Sequence, residues 1–167
     1  MNKWIEYLKN NDFMSVKKYI KDGADVNEAN ETGESVLAYA IRSRCDMDLL
    51  MLLVENGADF YDFDDEGVSI FDMSITYNNI GMVEYIIEQG IDVNFTQRRS
   101  KFTPLMAAAS YGRLDIAKLL IKHGADQNAV DTKGFSAIDF ARKMNKKSVL
   151  EILEYDPDSP RNKAYTR

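Results

Sequence analysis

Phe102-Thr-Pro-Leu-Met-Ala-Ala-Ala-Ser-Tyr-Gly-Arg-Leu-Asp-Ile-Ala-Lys-Leu-Leu-Ile-Lys-His-Gly-Ala-Asp126 decides the fold of this chain. Thr103 offers a hydroxyl to the free amides of a first helical turn. Pro104 sits at the first helical position, where its missing N–H costs nothing. Ile116, Leu119 and Leu120 recur at helical spacing in a second segment. Gly124 ends that segment in the left-handed conformation. The stretch therefore reads as two short helices back to back, closed by a glycine turn.

Weaker copies lie on both sides of it. Gly23-Ala-Asp25, Gly57-Ala-Asp59, Gly90-Ile-Asp92 and Gly124-Ala-Asp126 are 34, 33 and 34 residues apart. A second ladder stays in step: Gly33-Glu-Ser35, Gly67-Val-Ser69, Lys101-Phe-Thr103 and Gly134-Phe-Ser136. Two independent marks keeping one period identify a repeat array. Ser35, Ser69, Thr103 and Ser136 are placed as N-caps, with Asp72 and Asp139 three residues on as capping-box partners. Leu49/Leu52/Leu53 and Met82/Tyr85/Ile86 repeat the apolar stripe of the second helix. The polar linkers after each Gly-x-Asp should project as hairpins or loops.

These motifs resemble the ankyrin repeat. Thr103-Pro-Leu-Met-x-Ala-Ala109, Gly112, Ile116, Leu119-Leu120 and Gly124-Ala-Asp126 match its pattern closely. The resemblance implies an all-α solenoid of stacked helix-turn-helix units with short projecting hairpins and a concave binding face. The expected organisation is one domain over 1–155. It divides into an N-terminal capping unit at 1–29, repeats at about 30–62, 63–96 and 97–129, and a C-terminal capping repeat at 130–155. Trp4, Ile5 and Leu8 should form the inner face of the first unit. Residues 156–167 have too little apolar content to fold alone and read as a mobile tail. The family's histidine three residues after the cap is absent, replaced by Ala38, Asp72, Met106 and Asp139. Repeat one carries an extra residue in its inter-helix loop, Arg42–Met47, and repeat three carries one in its hairpin, Thr96–Phe102.

Composition narrows the function. A formal charge of −6 and a pI near 4.9 argue against a general nucleic-acid or anionic-membrane binder. No apolar run approaches the ~18–20 residues of a membrane helix, and the N-terminus lacks the apolar segment of a signal peptide. The single cysteine, Cys45, points to a reducing cytoplasm. The lean toward Lys, Asn, Ile and Tyr hints at an AT-rich, bacterial genome. Catalytic constellations are not legible. His123 reads as a C-terminal helix cap beside Gly124. No zinc ligand set and no glycine-rich phosphate loop is present in the sequence. Asp62-x-Asp64-Asp-Glu66 lacks the spacing of a calcium loop and reads as an exposed acidic hairpin. Cys45, on a loop expected to be exposed beside Arg44, keeps a redox-sensing role open. The expectation is a monomeric non-enzyme with no cofactor or metal.

In ankyrin proteins partners bind mainly at hairpin tips and at the ends of the first helices. Transferred by position, this implies a partner-binding set of Arg42, Asp65, Glu66, Tyr77, Arg99, Phe102, Tyr111, Lys133, Phe135 and Lys143. The face is split in charge, with Glu31, Glu34, Asp65 and Glu66 toward the N-terminus and Arg99, Lys101, Lys133 and Lys143 beyond them. Its aromatics suit hot-spot contacts. The leading expectation is an adaptor or scaffold holding one protein. Two alternatives stand beside it. One is an accessory of catalase and its haem supply, because some short bacterial proteins that look like this one have that association. The other is an effector or inhibitor of another protein.

Overall fold

The computed structural model describes residues 1–154, and its architecture is a stack of helix pairs. The first pair is α1 (Asn2–Lys9) and α2 (Phe13–Lys21), and the second is α3 (Val36–Arg42) and α4 (Met47–Glu55). Next come α5 (Ile70–Thr76) with α6 (Ile80–Glu88), then α7 (Pro104–Tyr111) with α8 (Leu114–Lys122). The last described pair is α9 (Ala137–Lys143) and α10 (Lys147–Leu153). First helices pack on first helices, α1–α3–α5–α7–α9. Behind them α2 packs on α4, α6 on α8, and α8 on α10. The 34-residue period has become a two-layer all-α solenoid.

Burial separates the layers. Residues Val36 to Ile41 of α3 and Pro104 to Ala109 of α7 are buried without interruption, because a first helix touches neighbours on both sides and its own partner behind. Second helices bury one stripe only, Leu49, Leu50 and Leu53 in α4 and Ile116, Ala117 and Leu120 in α8. Three consecutive fully buried alanines, Ala107–Ala109, let α7 nest between α5 and α9. Trp4 and Leu8 are fully buried in the first unit, and Ile5 packs against them half-exposed. Trp4 lies 4.8 Å from the ring of Tyr19.

Three of the four predicted hydroxyl caps form. Ser35, Ser69 and Thr103 accept the amides of Ala38, Asp72 and Met106. In α5 the carboxylate of Asp72 closes the box by accepting the amide of Ser69, whereas at α9 Asp139 accepts both the amide and the hydroxyl of Ser136, so that hydroxyl donates instead of capping. Each such cap contributes roughly 1 kcal/mol.

Two ladders, one of side chains and one of backbone amides, fasten one unit to the next. After each Gly-x-Asp the aspartate accepts the amide two residues on, at Asn27, Tyr61, Asn94 and Asn128. Asn27 then bridges to the next unit, donating to the Gly57 carbonyl and accepting from the Asp59 amide. Asn94 does the same with Gly124 and Asp126. Tyr61 stands at the same position, and its hydroxyl reaches the Gln89 carbonyl at 3.1 Å. The hairpins stack as well: the Asp65 amide donates to Thr32 O and the Thr132 amide to Ser100 O. Gly67 fits between them because a Cβ there would lie 2.3 Å from the Gln97 carbonyl oxygen.

Repeat three is the cleanest in its helices but the least regular in its hairpin. Isolated bridges close the other three hairpins, at Ala29–Ser35, Phe63–Ser69 and Val130–Ser136. In those hairpins Asn30, Asp64 and Asp131 accept two backbone amides each. Arg98 occupies that position in the third, and Lys101 adopts φ 56° where the others have glycine. The side-chain turn bonds are missing, and the isolated bridge with them. The tail expected at 156–167 lies outside the described residues.

Candidate functional site

The ten residues singled out by position lie along the hairpins and the ends of the first helices, and they divide by what each touches. Asp65, Glu66, Arg99, Lys133 and Lys143 are exposed, and none makes an ion pair among the described residues. Tyr111 and Phe135 are each 47% exposed. Tyr77 and Phe102 are half-buried. Phe102 meets Phe140 edge-on at 5.1 Å, and Phe135 meets the same ring at 6.2 Å, so the three form one aromatic cluster across repeats three and four. Phe140 projects from α9 and was not singled out in the sequence. Its place in the helical register, four residues after the Ser136 cap, was the available signal.

Arg42 is committed within its own repeat. Its Nε and Nη2 donate to the two carboxylate oxygens of Glu34 at 2.7 and 2.9 Å, and its guanidinium lies 4.6 Å from the Tyr39 ring. Glu34 first, and neighbouring tyrosines after it, raise the Arg42 pKa. The charge split expected from the sequence therefore loses Glu34 from its acidic half. Glu31, Asp65 and Glu66 remain exposed there, and Arg99, Lys101, Lys133 and Lys143 are exposed in the later repeats. Asp64 is also spent, on the turn amides of Glu66 and Val68.

Arg98, next to the predicted Arg99, turns inward instead. Its Nε lies 3.5 Å from the carboxylate of Asp72, which is 2% exposed, and its guanidinium lies 4.9 Å from the Phe102 ring. Burial pushes the Asp72 carboxyl upward, and the nearby Arg98 charge opposes that shift without cancelling it. A carboxylate at the family's histidine position thus joins repeat two to the hairpin of repeat three. Asp72 was legible in the sequence only as a cap; its partner was not, because the contact crosses 26 residues.

Cys45 corrects an expectation. The loop expected to be exposed buries its cysteine: the thiol is 4% exposed and donates to the Leu8 carbonyl, 3.2 Å away. Burial, with Asp46 adding to it, pushes the thiol up to about 11. The extra loop residue explains this. It turns Cys45 into the core and leaves Asp46 to cap α4 through the Leu49 amide while bonding Asn11. A thiol of that kind is inert. His123 is the C-cap of α8 and is exposed.

The family model described as ankyrin repeats (3 copies) matches residues 5–97 and 94–162. The chain belongs to the ankyrin-repeat family, whose members are generally protein–protein interaction modules. It is 31% identical over 138 residues to alpha-latrotoxin-Lg1a of Latrodectus geometricus, covering 81% of this chain and 10% of that protein. It is 35% identical over 128 residues to the E3 ubiquitin-protein ligase hecd-1 of Caenorhabditis elegans, covering 74% and 5%. The palmitoyltransferase AKR1 of Lachancea kluyveri is 27% identical over 146 residues, covering 84% and 20%. The chain thus spans a fifth or less of these relatives, and the activities in their names are those of the whole proteins. The relatives named here are not bacterial, so the compositional hint of a bacterial source finds no support in them. Among the described residues no helix is long and apolar enough to cross a membrane.

Proposed function

We propose that this chain is a non-enzymatic adaptor that holds a segment of one protein partner along its concave, hairpin-bearing face. The observation that carries the reading is the coincidence on one face of exposed aromatics with unpaired charges. Tyr111 and Phe135 are exposed at a first-helix end and on a hairpin, Arg99, Lys133 and Lys143 are exposed at the same kinds of position, and Asp65 and Glu66 are exposed on the hairpin of repeat two. Aromatic anchors ringed by charge are what a protein interface uses for affinity and for register. The proposed organisation is a single array over 1–155, acting as a monomer in the cytoplasm, with 130–155 as its C-terminal cap.

The test is capture of partners from an extract of the source cell, comparing the native protein with a Tyr77→Ala/Tyr111→Ala variant. A partner held through this face is lost from the variant and weakened by raising ionic strength, since exposed charges are screened beyond ~10 Å at 0.1 M salt. A partner retained equally by both proteins at all salt concentrations contradicts the reading.

A further inference from the structure

Two arginines outside the predicted set converge on one helix end. Arg44, in the turn before α4, donates to the carbonyl of Tyr77 at 3.4 Å and lies 5.9 Å from that tyrosine's ring. Arg113, in the turn before α8, comes from the opposite neighbour and donates to the carbonyl of Thr76. Its guanidinium lies 5.8 Å from the Tyr111 ring. Both therefore serve the last carbonyls of α5, one from each side.

Capping does not account for both of them. The C-terminus of a helix carries roughly half a negative charge, whereas two guanidinium groups bring two positive ones. Among the described residues neither arginine makes an ion pair. The nearest carboxylates in sequence do not supply one: Asp46 is bonded to Asn11 and the Leu49 amide, and Asp115 is exposed in α8. Residues 42–45, 76–79, 110–113 and 143–146, the ends of four first helices, contain no Asp or Glu in a chain of net charge −6. The Arg113 Nε is buried without a hydrogen-bond partner.

Arg44 also sits where its backbone is strained. It adopts φ 60° at the helix–helix turn. Asn11, Asn78, Gly112 and Asn145 fill that conformation in the other units, the residue types that tolerate it best. An arginine there costs stability that asparagine would not.

The geometry points to a carboxylate-binding site at Arg44 and Arg113, with Tyr77 and Tyr111 as its aromatic walls, that takes a Glu or Asp side chain of an acidic peptide segment. This deepens the proposed function and rests on the first-helix ends belonging to the partner face. A guanidinium fork donates two parallel bonds to a carboxylate, and Arg44 keeps most of its five donors free. The partner segment is acidic where it crosses the ends of α5 and α7, whatever charge it carries opposite the hairpins.

The test uses a short fluorescein-labelled peptide alternating Glu with Leu, its Gln-for-Glu counterpart, and inorganic phosphate as competitor at matched ionic strength. The native chain binds the Glu peptide and not the Gln peptide, and phosphate displaces it no better than chloride. Arg44→Asn, a residue the turn prefers, keeps or raises the melting temperature while weakening the Glu peptide about tenfold or more, the scale of one charged hydrogen-bonded contact. Arg113→Lys, which keeps the charge without the fork, weakens it as well. Equal binding of the two peptides overturns the site, as does displacement by phosphate. So does an Arg44→Asn variant that melts earlier with affinity unchanged, since Arg44 would then serve α5 alone. A captured partner that depends on the tyrosines but not on Arg44 sinks this site and leaves the broader reading standing.

Discussion

Asp72 shows how one side chain couples two repeats. Its carboxyl is raised above the ordinary 3.8 by burial, against the pull of Arg98. An acid of that kind binds its proton more readily in the folded chain than in the unfolded one. Its contribution to stability therefore grows as pH falls through the raised folded value toward 3.8, and is lost as pH rises again. Denaturant midpoints across that window should separate native protein from Asp72→Asn, with the native curve gaining on the variant as pH is lowered. Asp12, Asp46 and Asp139 are shifted the other way by the hydrogen bonds they accept, from Ser15, from the Asn11 side chain and then the Leu49 amide, and from Ser136 respectively, so their contributions vanish only below 3.8. Arg98→Ala leaves the Asp72 carboxylate buried without a counter-charge and removes the stack on Phe102. It should cost about 2 kcal/mol, below the range for a fully buried pair because Arg98 is partly exposed. Cys45 gives a simpler test. Thiol titration of the native protein at mild alkaline pH should proceed only as fast as the chain opens, and at once in denaturant. Fast native labelling would mean that the loop is not packed as described.

At the level of elements, turns carry more than their length suggests. Gly23 and Gly67 both have positive φ, 98° and 79°, but their surroundings differ. A Cβ at Gly23 meets nothing within 4 Å, whereas at Gly67 it collides with the Gln97 carbonyl. Gly23→Ala should cost only the left-handed strain, about 1 kcal/mol. Gly67→Ala should cost clearly more, because the hairpins must part, and thermal or denaturant melts of the two variants decide it. The asparagine clamps make a second matched pair. Asn94→Ala loses two bonds to the next unit and should cost about 1–2 kcal/mol. Asn128→Ala, whose side chain makes no bond among the described residues, should cost close to nothing. Local chemistry made the helices and caps readable from sequence: Ser35, Ser69 and Thr103 act within three residues of where they stand. The clamps, the Asp72–Arg98 pair and the inward turn of Cys45 were not readable, because each depends on a neighbour in another repeat. The candidate face was legible only as a set of positions. Which members are free was decided by contacts such as Arg42 to Glu34 and Phe102 to Phe140.

For the whole molecule, the ankyrin solenoid sets a one-dimensional logic in which each unit touches only its neighbours. Irregularities then concentrate where function has room. The hairpin of repeat three, without its turn residues, holds Arg98 inward and Arg99 outward. The turn of repeat one places Arg44 at the end of α5 in strained backbone. Both departures bring positive charge to the hairpin and first-helix side of an acidic chain. Amide hydrogen exchange of the protein with a captured partner, against the protein alone, tests that side most directly. Protection should appear over residues 64–68, 98–102 and 131–135 and at the ends of α5 and α7, with α4, α6 and α8 unchanged. Protection confined to those second helices would contradict it.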